Sequence, residues 1–144
     1  MKKNLFKKLV TGVLATSYRK ALDILFSYTR ELSSLRSVVF HSFAFGVREA
    51  SSLLSRGINS YFSFGSGIFR GNKKNISCVA ELPADRILFE TDAPFQTQRG
   101  EKYSKACAIK NVYETAASIR KCSLQEIQYV TEKNFCSAYN ISRA

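Results

Sequence analysis

The chain has 144 residues and a mass of 16.2 kDa, about the size of one average domain. Hydrophobic residues make up 45% and charged residues 23%, a globular composition that excludes a chain disordered throughout. Lysine and arginine number 22 against 11 acidic residues, so the net charge of +11 favours contact with phosphates or anionic surfaces. We therefore expect a single domain over residues 1–144 with a basic start at residues 1–8.

The cysteine content predicts a cytoplasmic protein. No pair has the CxxC spacing of a zinc ribbon or a redox-active disulfide, and small secreted disulfide folds are richer in cysteine. All four are interpreted as reduced packing groups: Cys78, Cys107, Cys122 and Cys136. No apolar run reaches the length of a membrane span, so we expect no membrane partner.

The first segment, MKKNLFKKLVTGVLATS, has two interpretations. Its lysines and the apolar run that follows resemble a leader peptide, which would make the chain an exported basic protein. The run is short, however, and Thr11 and Gly12 interrupt it. We therefore favour a basic start followed by a buried strand over Leu9–Leu14.

From there the apolar pattern alternates between strand-like and helix-like segments. The predicted strands are Leu9–Leu14, Ser37–Phe43, Asn59–Phe64 and Arg86–Thr91. The predicted helices run from Ser17 to about Leu32, from Val47 to about Ser55, over Asn75–Leu82, from about Ser104, and from the capping box Ser123-x-x-Glu126. This alternation predicts an α/β fold with a parallel sheet, and the strands are too few to close a barrel.

Two side chains with useful chemistry follow the ends of predicted strands. His41 ends one strand and Asp92 follows another, and the carboxyl ends of parallel strands share the face where ligands bind. A histidine offers a neutral imidazole ligand, and an aspartate offers a hard oxygen ligand or a general base. From the residues alone, a structural histidine and an acid that caps a turn remain alternatives.

Three stretches of the sequence resemble one known family. The string FHSFAFGVREASSLLSRGINSYFSFGSG resembles the HCFSG or HSFSG segment of TatD-family metal-dependent deoxyribonucleases, together with the G-Y-x-x-S-F-G strand that follows it. ELPADRILFETDAPF resembles the family's LP-x-D-R-L-L-x-ETD-x-P signature, and KCSLQEIQYVTEKNFCSAYNI is similar to its closing helix. The order and spacing of the motifs agree with the family, which makes the match more specific than any single motif.

The resemblance implies a partial TIM barrel of the metal-dependent hydrolase type, with about four C-terminal β/α units plus a closing helix. It also implies a phosphodiesterase that acts on DNA with a divalent metal, Mg²⁺, Mn²⁺ or Zn²⁺. By position, His41 is then the metal ligand of the sixth strand. Asp92 is the eighth-strand carboxylate that binds metal and orients or deprotonates water. Glu90 lies two residues earlier, on the same side of the strand, where it could support these ligands.

Several basic residues fall where a nuclease would contact phosphates. By the resemblance, Arg70, Lys73 and Lys74 lie in the loop after the seventh strand, and Arg99 follows the eighth. We predict that these side chains bind nucleic acid. A solvated basic surface is the alternative.

The resemblance is confined to the C-terminal half of the family's fold. The family's strand-one His-x-His pair and mid-barrel glutamate have no counterpart, and Val13 stands where the fifth-strand metal histidine belongs. This predicts a truncated or split product with impaired activity alone, completed by a separately encoded N-terminal half or by a second copy in a homodimer. The alternative is a non-catalytic remnant, either a basic nucleic-acid-binding module or an inert one.

Overall fold

The computed structural model describes residues 18–95 and 102–142. The basic start, the predicted strand over Leu9–Leu14 and Val13 lie outside these residues. The strands are β1 (Val38–Phe40), β2 (Ser60–Phe64) and β3 (Ile87–Phe89). The α-helices are α1 (Tyr18–Ser27), α2 (Thr29–Ser33), α3 (Val47–Ser55), α4 (Lys73–Glu81), α5 (Ile109–Arg120) and α6 (Leu124–Tyr139).

The sheet has the order β1-β2-β3, and both strand pairs are parallel. Val38 pairs with Ser60, and Phe62 pairs with Ile87. Every residue of β2 is buried, as expected for a central parallel strand that is covered on both faces. The predicted α/β fold with a parallel sheet is therefore confirmed for the described residues.

The two faces of the sheet are covered differently. Side chains on one face join a large apolar core with the helices; its fully buried members include Phe62, Phe64, Ile87, Leu53, Val79 and Val112. On the other face, Val39, Tyr61 and Leu88 form a small cluster with Ala138 of α6. We call this second side the open face, because its buried cluster is small. α6 is the helix that packs there through Ala138.

Buried polar bonds attach α6 to the sheet. The Asn134 side-chain amide donates to the carbonyl oxygens of Ala84 and Ile87, each at 2.8 Å. The Ser37 hydroxyl donates to the Ala138 carbonyl at 2.5 Å. The beginning of α6 is the predicted capping box, in which Ser123 and Glu126 satisfy each other's backbone amides. Those bonds also lower the pKa of the Glu126 carboxyl.

The observed elements differ from the predicted ones at several ends. β1 ends at Phe40 and β3 at Phe89, so His41 and Glu90 follow the strands instead of ending them. The first predicted helix is broken at Tyr28. α4 begins at Lys73 because the Asn72 side chain accepts from the backbone N–H of Lys74 and Asn75.

Cys78 and Cys122 pack against the main core, whereas Cys107 is exposed and is not the packing group that was predicted. All four are unpaired thiols, and Cys78 is buried in the main core. Burial, reinforced by the charges of Glu81 and Glu49, raises the pKa of the Cys78 thiol to about 11. Within the described ranges, no helix has both the length and the apolar content that crossing a membrane requires.

Replacing Asn134 tests how α6 is attached. We expect Asn134→Ala to lower the free energy of unfolding by about 2–3 kcal/mol, because two carbonyls lose their buried donor. Lys133→Ala, at the exposed neighbouring position, is the control and should change stability by less than about 0.5 kcal/mol. Urea denaturation measures both. Equal, small effects for the two variants would contradict this attachment.

Candidate functional site

The carboxyl ends of β1 and β3 are held close together by the sheet itself. Beyond the strands, the Phe43 amide donates to the Ser63 carbonyl at 3.0 Å, and the Glu90 amide donates to the Phe64 carbonyl at 3.1 Å. These bonds extend the pairing on both sides of β2. His41, Ser42 and Glu90 therefore follow the ends of the two strands that flank β2, at the edge where ligands bind in parallel α/β folds.

The Glu90 carboxylate connects the two outer strand ends. Its Oε1 accepts from the Ser42 backbone amide at 2.9 Å and from the Ser42 hydroxyl at 2.6 Å. Its Oε2 lies 3.2 Å from Nε2 of His41. The Glu90 side chain is only 10% exposed, whereas that of His41 is 62% exposed. A buried carboxylate thus faces an accessible imidazole.

The turn that Glu90 holds is conformationally strained. Ser42 has a φ of +48°, in the left-handed region that residues other than glycine seldom adopt. Such a conformation costs on the order of 1 kcal/mol and persists where surrounding bonds enforce it. The two bonds to Glu90 Oε1 provide that enforcement. The backbone direction of His41 thereby depends on a side chain from a different strand.

The second oxygen of Glu90 is an unsatisfied acceptor. Oε2 is buried and accepts no hydrogen bond within the described part of the chain, although His41 Nε2 lies at ion-pair distance. Leaving a buried carboxylate oxygen in this state costs free energy. A proton on the imidazole, or a cation near both atoms, would satisfy it. The edge therefore has the chemistry of a partial cation site.

Asp92 also has a left-handed backbone, with a φ of +55°, and its carbonyl accepts from the Phe95 amide at 2.8 Å. In residues 18–95 and 102–142, no three histidine, cysteine or acidic side chains come together as a metal-holding group. The structure brings His41 and Glu90 together without adding Asp92 to such a group. The described residues alone therefore do not fit a complete divalent-metal site, and the roles of His41 and Asp92 as ligands stay predictions.

The four side chains that are predicted to contact nucleic acid lie in different parts of the chain's structure. Arg70 follows the 3₁₀ turn Ser66–Ile68, and its guanidinium donates to the Ser66 hydroxyl. Lys73 and Lys74 are exposed but lie in the first turn of α4, so their predicted placement in a loop is wrong. Asn72, by capping the helix, causes this earlier start. Arg99 lies outside the described residues, and binding by all four side chains stays a prediction.

Sequence reasoning missed the contribution of Ser42. Its position follows His41 in the quoted FHSF string, but the left-handed turn depends on Glu90, which is 48 residues away in the chain. The available sequence signal was the adjacent pair His41 and Ser42 at the end of a predicted strand. Nothing local indicated that Glu90 would accept from Ser42 with one oxygen and face His41 with the other.

Changing Glu90 tests the connection between the strand ends. We expect Glu90→Ala to destabilise the fold by about 2–3 kcal/mol, since the Ser42 donors lose their acceptor and the strained turn loses its support. Glu90→Gln should cost less, because an amide oxygen can still accept from Ser42. Glu81→Ala, exposed on α4, is the control. Urea denaturation that ranks Glu90→Ala with this control would contradict the proposed support.

Similarities to known proteins extend over most of the chain. The sequence model of the TatD related DNase family matches residues 15–140. The uncharacterized metal-dependent hydrolase YabD of Bacillus subtilis is 35% identical over 89 residues, which are 59% of this chain and 34% of YabD. The uncharacterized metal-dependent hydrolase YcfH of Escherichia coli K12 is 32% identical over 108 residues, 72% of this chain and 39% of YcfH.

A solved structure shows the same fold. YjjV, a TatD homologue from Escherichia coli K12, superposes with a TM-score of 0.72 at 22% identity. The match covers 85% of this chain and 48% of YjjV. The chain thus spans less than half the length of each of these proteins.

Proposed function

Since this chain belongs to the TatD related DNase family, we propose that it supplies one side of the site of a metal-dependent hydrolase that cleaves DNA phosphodiesters. The side in question is the edge formed by His41, Glu90 and Asp92. The observation that carries the proposal is the buried Glu90 carboxylate, which supports the His41 turn with one oxygen and leaves the other unsatisfied beside His41 Nε2.

Each residue of the edge has a distinct part in this proposal. Glu90 fixes the backbone at Ser42 and faces the imidazole, so it is a positioning residue for His41. His41 is exposed enough to meet a ligand. Asp92 is the proposed general base that takes a proton from the attacking water. His41 and Asp92 are the proposed metal ligands, and a divalent cation, Mg²⁺, Mn²⁺ or Zn²⁺, would need further oxygen or nitrogen ligands beside them.

We further propose that the described sheet is one sector of a barrel and that a partner covers its open face. A cavity of about 410 Å³ lies there, and its lining includes Val39 and Leu88 from the sheet, His41 after β1, and Phe135 and Tyr139 from α6. Phe135 and Tyr139 are 48% and 52% exposed, and their rings pack with centroids 4.7 Å apart. Exposed aromatic side chains beside an apolar cavity favour a protein interface.

The partner is either a separately encoded N-terminal half or a second copy of this chain. Either could bring further strands to the sheet and further ligands to the His41 edge. The four unpaired thiols support a reducing, cytoplasmic setting for the assembly. A non-catalytic nucleic-acid-binding module is the second candidate function, and the net charge of +11 is the observation that favours it.

The first test is DNA cleavage by the purified 144-residue chain with Mg²⁺ or Mn²⁺. We expect only trace activity, because His41 and Asp92 alone would make an incomplete metal site. His41→Ala and Asp92→Asn should remove that trace, whereas Asp85→Asn, exposed before β3, should not. Rapid cleavage that Asp92→Asn abolishes would contradict the proposed impairment. Cleavage that survives both site variants would contradict the proposed site.

The second test concerns how the chain binds DNA. We expect affinity that falls steeply with salt and is indifferent to sequence, because phosphates are the targets of lysine and arginine here. Replacing Lys73 and Lys74 together with glutamine should reduce the slope of log K against log[salt] by about one to two units. Lys133→Gln on α6 should leave it unchanged. A salt-insensitive, sequence-selective complex in fluorescence anisotropy would contradict this expectation.

A further inference from the structure

We infer that the turn after β2 forms a phosphate subsite, separate from the His41–Glu90 pair, which holds a neighbouring phosphodiester of a nucleic-acid strand. The inference rests on the proposed function for the nature of the strand, and on the structure for the site itself. The site is a cavity of about 260 Å³ at the carboxyl ends of β1 and β2. That volume accommodates a phosphate group with several waters, since one water occupies about 30 Å³ of liquid.

The lining of this cavity suits an anion. Among the described residues that form it, hydroxyls, amides and one guanidinium provide the polar groups, and none is acidic. The polar residues of the lining are Ser42, Ser63, Ser66, Arg70, Asn72 and Asn75. The cavity on the open face differs, because Glu90 and Glu132 are among its lining residues. Charge therefore favours a phosphate in the first cavity and disfavours it in the second.

Arg70 is the principal phosphate-binding group of the proposed subsite. Its guanidinium donates to the Ser66 hydroxyl, and the Ser66 residue is 5% exposed, so a fixed partner orients the arginine. A guanidinium presents several N–H donors in a planar fork that matches two phosphate oxygens. The bond to Ser66 thus fixes one end of the exposed Arg70 side chain before a ligand arrives, which reduces the entropic cost of binding.

The wall of the cavity depends on close packing between Gly67 and Asn75. A Cβ at Gly67 would collide with Oδ1 of Asn75. The Asn75 side-chain amide donates to the Phe43 carbonyl at 2.8 Å and is buried. Asn75 therefore ties α4 to the segment after β1, and Gly67 allows the turn after β2 to approach it. This packing sets the distance between the two cavity walls.

The subsite adjoins the proposed reaction centre. Ser63 lines both cavities, and Ser42, which lines the phosphate cavity, is bound to Glu90. A strand whose phosphate occupies the Arg70 cavity would extend from there toward His41. The site would therefore position the strand by its backbone and carry no preference for base sequence.

The experiment measures phosphate binding by ¹H–¹⁵N NMR on the full chain, at constant ionic strength. Inorganic phosphate and dimethyl phosphate are the two probes, and the second represents a strand diester. We expect both to shift the amides of Ser66, Gly67 and Arg70 in a saturable way. Arg70→Gln should weaken binding by about tenfold or more, because a charge-assisted hydrogen bond is lost. Arg48→Gln, exposed on α3, is the matched control and should leave binding unchanged.

The outcomes separate this inference from the proposed function. Shifts spread over the basic surface, or equal binding by the wild type and a well-dispersed Arg70→Gln spectrum, would overturn the subsite. Binding of inorganic phosphate with rejection of dimethyl phosphate would overturn its assignment to a strand phosphate. Should Arg70→Gln unfold, Ser66→Ala replaces it and should weaken binding measurably. Saturable, Arg70-dependent binding supports the subsite even if the chain cleaves no DNA in any assembly.

Discussion

The geometry of the candidate site depends on one buried carboxylate. Glu90 follows β3, yet it binds the backbone and side chain of Ser42 after β1. A carboxylate that is 10% exposed is costly to desolvate, and its Oε1 recovers part of that cost through the two Ser42 donors. Its Oε2 stays unsatisfied beside His41. The same side chain thus supports the Ser42 turn with Oε1 and leaves Oε2 without a hydrogen bond, beside the imidazole.

The fold allows this arrangement because β2 separates two strand ends that a side chain can still span. β2 is buried throughout its length and contributes only small or apolar side chains near the edge, such as Ser63 and Phe64. On one face the helices complete a packed core. On the open face the cluster around Val39, Tyr61 and Leu88 is small, and α6 is attached there through Asn134. The large core and the open face therefore lie on opposite sides of the same strands.

Much of the fold could be predicted from the sequence because its signals are local. The alternation of strands and helices, the parallel sheet and the capping box at Ser123 all follow from patterns within a few residues. Strand ends were less predictable: β1 stops at Phe40 because the chain turns at Ser42, and that turn is stabilised from β3. α4 starts early because Asn72 caps it, although the sequence favoured a start at Asn75.

The candidate site was predictable in part for the same reason. Strand-end logic and family motifs suggested His41, Glu90 and Asp92 as candidates, and the structure brings the first two together. The contacts that Glu90 makes were not visible in the sequence, because its bonds to Ser42 join residues that follow different strands. The position of Arg70 beside the cavity after β2 likewise depends on its bond to Ser66, which is buried, and on the Gly67–Asn75 packing. Long-range contacts of this kind decide which of several plausible side chains meet.

The central claim is that Glu90 holds the Ser42 turn and so positions His41. Amide hydrogen exchange at Ser42, followed by NMR in the wild-type chain and in Glu90→Gln and Glu90→Ala, tests it most directly. We expect the wild-type Ser42 amide to exchange at least about tenfold more slowly than the same amide in Glu90→Ala, with Glu90→Gln in between. A Ser42 amide that exchanges equally fast in all three chains, while Phe43 stays protected, would contradict the account.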